Sequence, residues 1–252
     1  MNPKIKSNLE KNPLFYTRAI LLEISNLCNY SAIHPKCPIS TFKEKVILPL
    51  NTIEKVLKEL GELGFKGTIY PFNYSEPLID PRLFKVLEMT KELVPLASPW
   101  LYTNGFMLND EMVRELDEYG VKRLCVSIYT PEESKRIRGI IKRMRGEVRM
   151  ELRAYRRYPM NIRMNDKMDW PDREPLNLKI PCPSPLRYLT IDSSGNLIIC
   201  CHDFLKKHIF GNVKDETLAQ VIRKEETIKA FEELSAGKRE GWFLCARCTK
   251  HR

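Results

Sequence analysis

Apolar positions in the first two thirds of the chain switch repeatedly between two periods. Residues 17–25, TRAILLEIS, form an apolar run of strand length. Helical spacing follows over 51–64, where Ile53, Val56, Leu57, Leu60 and Leu63 recur three and four apart and Gly64 can end the helix. The alternation continues with a strand at 67–73, a helix at 81–94, a strand at 98–103, a helix at 109–119, a strand at 121–129, a helix at 131–143 and a strand at 147–155. Strands separated by helices predict an α/β fold with parallel pairing, because a parallel neighbour needs a crossover. Full closure into eight such units takes about 250 residues. About 165 carry the pattern here, so a partial barrel is expected.

The pattern breaks near residue 159. Residues 159–186 hold six prolines and little periodicity, which marks a linker or an extended crossover. Beyond it, RYLTIDSSGNLIICC reads as a hairpin, two apolar runs around Asp192-Ser-Ser-Gly195. A last helix is expected over 215–235, leading to Cys245-Ala-Arg-Cys248. The expected organisation is a barrel part over 1–165 and a small hairpin-and-helix part over 166–252.

Composition narrows the chemistry. The chain has 252 residues, 43% of them hydrophobic, enough for a substantial core. No apolar run reaches membrane-spanning length, and the polar N-terminus lacks a secretory apolar region. A cytoplasmic protein is therefore expected, and its eight cysteines are not expected to form a secreted disulfide framework. Eight cysteines against four histidines favour sulfur-rich ligation of zinc or an iron–sulfur cluster. The Cys245/Cys248 spacing lets two thiolates reach one centre from a tight turn, with Cys182 and Cys200 or Cys201 available as partners.

Charge is unevenly placed. The net charge is +10, and residues 135–163 alone hold eleven Lys/Arg against two Glu. Such a stretch is either a solvated basic face or a site for an anionic partner, such as a phosphorylated or nucleotide-linked substrate, or RNA. Aromatic residues are not interleaved there in a stacking pattern, which makes RNA the weaker option.

A cysteine loop follows the first strand, Ser75-Glu76-Pro77 the second and Thr103-Asn104-Gly105 the third; Val126-Ser127-Ile128 lies in the fourth, and Arg136-Ile-Arg138-Gly139 comes next. The order of these short motifs resembles the radical S-adenosylmethionine (SAM) superfamily. The last third is similar to the family's SPASM/twitch extension, with Cys182, Gly195-x4-Cys200, a Gly211-Asn212-Val213 step and a terminal cysteine pair. The resemblance covers about residues 17–250. It implies a partial (β/α)6 radical SAM barrel followed by a small β-hairpin/helix twitch domain. It also implies two [4Fe–4S] clusters, one that binds SAM and one auxiliary. Cys182, Cys200, Cys245 and Cys248 match the auxiliary set, although four thiolates satisfy zinc equally well. The Gly195-x4-Cys200 spacing of this resemblance implies Cys200 rather than Cys201 as the ligand, and strand alternation would let only one of the two neighbours face the cluster. Cys125 is expected to be a packed core thiol.

The front motif departs from the family pattern. The usual signature is Cys-x3-Cys-x2-Cys, whereas this chain reads Cys28-Asn-Tyr-Ser-Ala-Ile-His34-Pro-Lys-Cys37, with Ala32 at the usual second cysteine. Three readings stay open: Ala32 stands in place of a cysteine, His34 completes the set with Cys28 and Cys37, or the front cluster is lost or labile. By resemblance, Glu76 is the acid that meets the SAM ammonium. Asn104 and Ser127 reach SAM or substrate, and Arg136 or Arg138 pairs with the SAM carboxylate. The implied function is a radical SAM oxidoreductase or isomerase. It generates a 5′-deoxyadenosyl radical that abstracts a hydrogen from a small polar, perhaps anionic, substrate. The auxiliary cluster accepts an electron, and a ferredoxin or flavodoxin is the implied donor. The alternative is a catalytically altered binding or scaffold protein that keeps the fold and a structural four-cysteine metal site.

Overall fold

The structure is a computed structural model, and it describes residues 3–32, 37–156, 172–176 and 178–249. One eight-stranded sheet organises it. Six strands run parallel to one another: β1 (Ala19–Leu22), β2 (Thr68–Tyr70), β3 (Ser98–Thr103), β4 (Arg123–Ile128), β5 (Glu151–Arg156) and β6 (Tyr188–Ile191). β7 (Asn196–Ile198) and β8 (Ile209–Asn212) continue it antiparallel. The spatial order is β5-β4-β3-β2-β1-β6-β7-β8. Thus β1 is flanked by β2 and β6, with Ile20 in register with Ile69 on one side and Leu189 on the other.

α2 (Leu50–Glu62), α3 (Leu83–Leu93), α4 (Asp110–Glu118) and α5 (Pro131–Met144) connect successive strands from β1 to β5. Strand order rises steadily through these crossovers, and right-handed connections then set all four helices on one side of the sheet. The apolar stripe read at 51–64 is the buried face of α2: Ile53, Val56, Leu57 and Leu60 are fully covered. Gly61 in that helix has a packing reason, since a Cβ there would lie 2.0 Å from the Leu93 carbonyl oxygen. α5 begins in a capping box: Thr130 Oγ1 accepts from Glu133 N at 3.1 Å, and the Glu133 carboxylate accepts from Thr130 N at 3.1 Å.

The hairpin read at Asp192–Gly195 joins β6 and β7. Asp192 Oδ1 accepts from Ser194 N (2.8 Å) and Asn196 N (2.9 Å), and Gly195 takes φ +89°. Three features of the fold differ from the sequence reading. The chain opens with a further helix, α1 (Pro3–Lys11). β8 forms where the sequence shows a Gly-Asn-Val step. The helix expected over 215–235 is two, α7 (Leu218–Arg223) and α8 (Glu225–Ser235), broken where Lys224 adopts φ −59° and ψ 144°. A short helix, α6 (Ser184–Arg187), precedes β6. The part boundary expected at 165/166 lies outside the described residues.

Candidate active site and cluster centre

The C-terminal end of β2 and the end of β3 build the first cavity around one carboxylate. Glu76 is 3% exposed. Its Oε1 accepts from Thr103 Oγ1 (2.7 Å) and Leu78 N (3.1 Å), and its Oε2 accepts from Asn104 N (2.6 Å). Burial raises its pKa to about 6, against the lowering pull of these three donors. Two bonds draw the cysteine loop onto this centre: Glu76 N donates to the Leu27 carbonyl (2.8 Å), and Asn104 Nδ2 donates to Asn29 Oδ1 (2.7 Å). Asn104 Oδ1 also accepts from Phe106 N (2.9 Å), closing a turn in which Gly105 takes φ +74°. A Cβ at Gly105 would also lie 2.6 Å from Val126 Cγ1.

Cys28, Cys37, Glu76, Asn104 and Ser127 all line this one cavity, of about 190 Å³. Burial pushes the Cys28 thiol up to about 11, with Glu76 and Cys37 adding to the rise. Tyr30, which lines the same cavity, anchors the loop, donating its hydroxyl to Glu133 Oε1 at 2.5 Å and packing against Tyr129 and Phe106. His34 lies outside the described residues. The two arginines are placed differently from the other candidates. Arg136 donates to the carbonyls of Leu108 (2.7 Å) and Gly105 (2.5 Å), so it braces the Thr-Asn-Gly turn. Arg138 is exposed and donates to Ser134 Oγ one turn back (3.2 Å). Cys125 is fully buried on the same strand face as Ser127, beside Tyr102 and Tyr155.

A second, larger cavity of about 680 Å³ is ringed by Cys182, Cys200, Cys201, Cys245 and Cys248. Burial pushes the Cys200 thiol well up, and Cys201, Cys245 and Cys248 add to it. Burial likewise raises Cys245, with Cys248 and Cys182 contributing. The five cysteines therefore share one electrostatic neighbourhood. Among the described residues no three His, Cys, Asp or Glu side chains converge to single-ion distance; the cysteines stand around the wall of a room. Strand alternation does not separate Cys200 from Cys201, because β7 ends at Ile198 and both lie in the turn beyond it. A set of thiols around one buried cavity suits the ligand chemistry of an iron–sulfur cluster.

The two cavities abut. Phe72, Asn73, Tyr74 and Tyr102 line both. Tyr74 bridges them: its N–H donates to Glu23 Oε1 (2.9 Å), and its hydroxyl donates to the Cys201 carbonyl (2.5 Å). None of these wall residues was singled out in the sequence, where aromatic residues at strand ends look like core.

The basic stretch is partly spoken for. Arg143 pairs with Asp110 (2.7 Å), Arg149 with Asp117 (3.5 Å) and Arg153 with Glu151 (2.5 Å). Residues 157–163 of that stretch lie outside the described residues. No described helix is long and apolar enough to cross a membrane.

Comparison with known proteins agrees with this geometry. A model of the radical SAM superfamily matches residues 25–158, and an iron–sulfur cluster-binding domain model, SPASM, matches residues 182–249. The chain is 25% identical over 233 residues to the S-adenosyl-L-methionine-dependent 2-deoxy-scyllo-inosamine dehydrogenase of Niallia circulans, covering 91% of each chain. It superposes on the crystal structure of BtrN in complex with AdoMet and 2-DOIA with a TM-score of 0.79 at 24% identity, over 93% of this chain and 94% of that one. Native anSMEcpe with bound AdoMet aligns with a TM-score of 0.56 at 12% identity, over 88% of each chain. At these identities the structural likenesses show the fold.

Proposed function

This chain belongs to the radical SAM superfamily of enzymes, and from that premise we propose that it is an oxidoreductase acting on a small polar substrate. The observation that carries this reading is the shared wall of the two cavities, with the SAM-type residues on one side and the cysteine ring on the other. The similarity to a dehydrogenase along nearly the full length supports oxidation of an alcohol carbon over rearrangement. A [4Fe–4S] cluster with SAM supplies the 5′-deoxyadenosyl radical, and an auxiliary cluster supplies an electron acceptor.

The chain's own residues hold and shield these groups. Cys28 and Cys37 offer thiolates to the front cluster, with His34 the proposed third ligand. Glu76 holds a carboxylate in a low-dielectric pocket where the SAM ammonium is its charge partner. Asn104 and Ser127 present polar groups beside it, and Arg136 fixes the turn that carries Asn104. Phe72 and Tyr102 give the dividing wall apolar surface that keeps water from the reacting atoms. Cys182, Cys200, Cys245 and Cys248 are the proposed auxiliary ligands. A substrate of the proposed class sits where the cavities meet.

The test is anaerobic reconstitution with iron and sulfide, followed by SAM and dithionite. About eight irons per chain, two four-iron clusters, and formation of 5′-deoxyadenosine are expected. About four irons, or one zinc, with intact SAM would overturn the enzymatic reading and favour a structural four-cysteine site.

A further inference from the structure

Arg239 is a buried cation with a nitrogen left over. The residue is 2% exposed. Its Nε donates to the Ile180 carbonyl at 2.8 Å, and its Nη1 contacts the Cys248 carbonyl at 3.5 Å. Its Nη2 is buried and has no hydrogen-bond partner. Buried polar groups are rarely left unpaired, and a charged donor is the most costly to leave so. The side chain nevertheless lines the larger cavity, beside Cys182, Cys200, Cys245 and Cys248. Ile180 precedes Cys182 by two residues and Cys248 is in the ring itself, so the two engaged nitrogens fix the guanidinium against the backbone of two cysteine segments. Its charge also reaches the ring, opposing the rise in the Cys245 thiol's pKa that burial causes.

We infer that Arg239 is a positioning residue for the auxiliary cluster, with Nη2 donating an N–H···S bond to the cluster near Cys245 and the guanidinium charge raising its reduction potential. This rests on the reading of the cavity as the auxiliary cluster site. A cluster with four thiolate ligands is anionic, and net charge and hydrogen bonds to sulfur are the protein's main controls on its potential. An electron acceptor in this position benefits from both. Lysine would keep the charge but lose the planar fork that engages three partners at once.

The test uses the full chain, reconstituted with iron and sulfide in a Cys28→Ala/Cys37→Ala background so that only the C-terminal cysteines load. In an EPR-monitored redox titration, Arg239→Gln is expected to shift the reduction equilibrium at least tenfold toward the oxidised cluster, about 59 mV downward for one electron. Arg239→Lys is expected to fall between the two. A second readout needs no loaded Gln variant. In wild type labelled with guanidino-15N arginine, the reduced auxiliary cluster is expected to show a 15N hyperfine coupling that Arg239→Lys lacks. An unchanged potential in loaded Arg239→Gln, or no 15N coupling in wild type, overturns the inference and leaves the cluster assignment standing. If the Cys28→Ala/Cys37→Ala protein binds no iron, the cluster assignment itself falls, and the role of Arg239 with it.

Discussion

Glu76 shows how a single side chain carries both fold and chemistry. Three protein donors meet its oxygens, yet burial outweighs them and raises its pKa, so a cation placed beside it would stabilise the ionised form. Glu76→Gln keeps the size but removes the charge and sets an amide against donors. Its SAM affinity is expected to fall about tenfold or more, roughly 1.4 kcal/mol, in equilibrium dialysis against the cluster-loaded protein. His34 makes a second residue-scale prediction. If it closes the front ligand set with Cys28 and Cys37, His34→Ala drops iron from about eight toward four per chain; an unchanged count removes His34 from the set. Glu76, Asn104 and Ser127 were legible because each sits at a fixed place in an ordered set of strand-end motifs, and the structure brings all three to one cavity. Arg136 and Arg138 were less so. A guanidinium reaches far, and only tertiary structure reveals that Arg136 spends its donors on the carbonyls of a turn. Arg239 carried no signal, since one arginine in AGKREG looks like any surface cation.

At the scale of elements, apolar periodicity was enough wherever a helix or strand buries one face. α2, α3, α4 and α5 and the strands between them follow the pattern to within a few residues at their ends. The break between α7 and α8 was hidden because both halves keep helical spacing. At the break, Lys224 Nζ donates to the Phe210 carbonyl (3.1 Å) and Glu216 Oε1 (2.7 Å), and Thr227 Oγ1 donates to the Val221 carbonyl (2.7 Å). The start of α7 is tied to α2 as well. Glu59 accepts from Leu218 N (2.8 Å) and Ala219 N (2.7 Å), while Lys55 Nζ donates to the carbonyls of Val213 (2.9 Å) and Glu216 (2.8 Å). One turn of α2 thus supplies a carboxylate to the orphan donors at the start of α7, the favourable end for an anion, and a cation to loop carbonyls. Glu59→Ala is expected to cost about 1–2 kcal/mol, as loss of a helix cap does. Hydrogen exchange should show it as faster exchange at Leu218 and Ala219, with little change in α3.

For the whole molecule, β1 is the strand that joins the β2–β5 part of the sheet to the β6–β8 part, and Glu23 stands just past it. It is the lone acid in TRAILLEIS and 2% exposed. Its Oε1 accepts from Tyr74 N (2.9 Å) in the wall between the cavities, and its Oε2 accepts from Ser193 N (3.1 Å) in the β6–β7 turn. Asp192 and Lys206 face it and pair with each other at 2.8 Å. Burial is the largest influence and raises its pKa from 4.5 to about 7, the two backbone donors and Lys206 lowering it and Asp192 raising it. The folded state therefore holds a proton that the unfolded chain releases near 4.5. Folding is favoured by this group at low pH, and that contribution is lost as pH rises from about 4.5 through about 7. Glu23→Gln has no proton to lose. The stability of wild type relative to this variant is thus expected to fall by about 3 kcal/mol between pH 4.5 and 7.5, in urea unfolding at matched cluster loading. A difference that stays flat, or rises with pH, would mean that Glu23 is ionised throughout and that the lysine and the backbone donors outweigh its burial. Tyr74 is held by Glu23 at one end and by the Cys201 carbonyl at the other, so the group that titrates here is hydrogen-bonded to the wall that both cavities share.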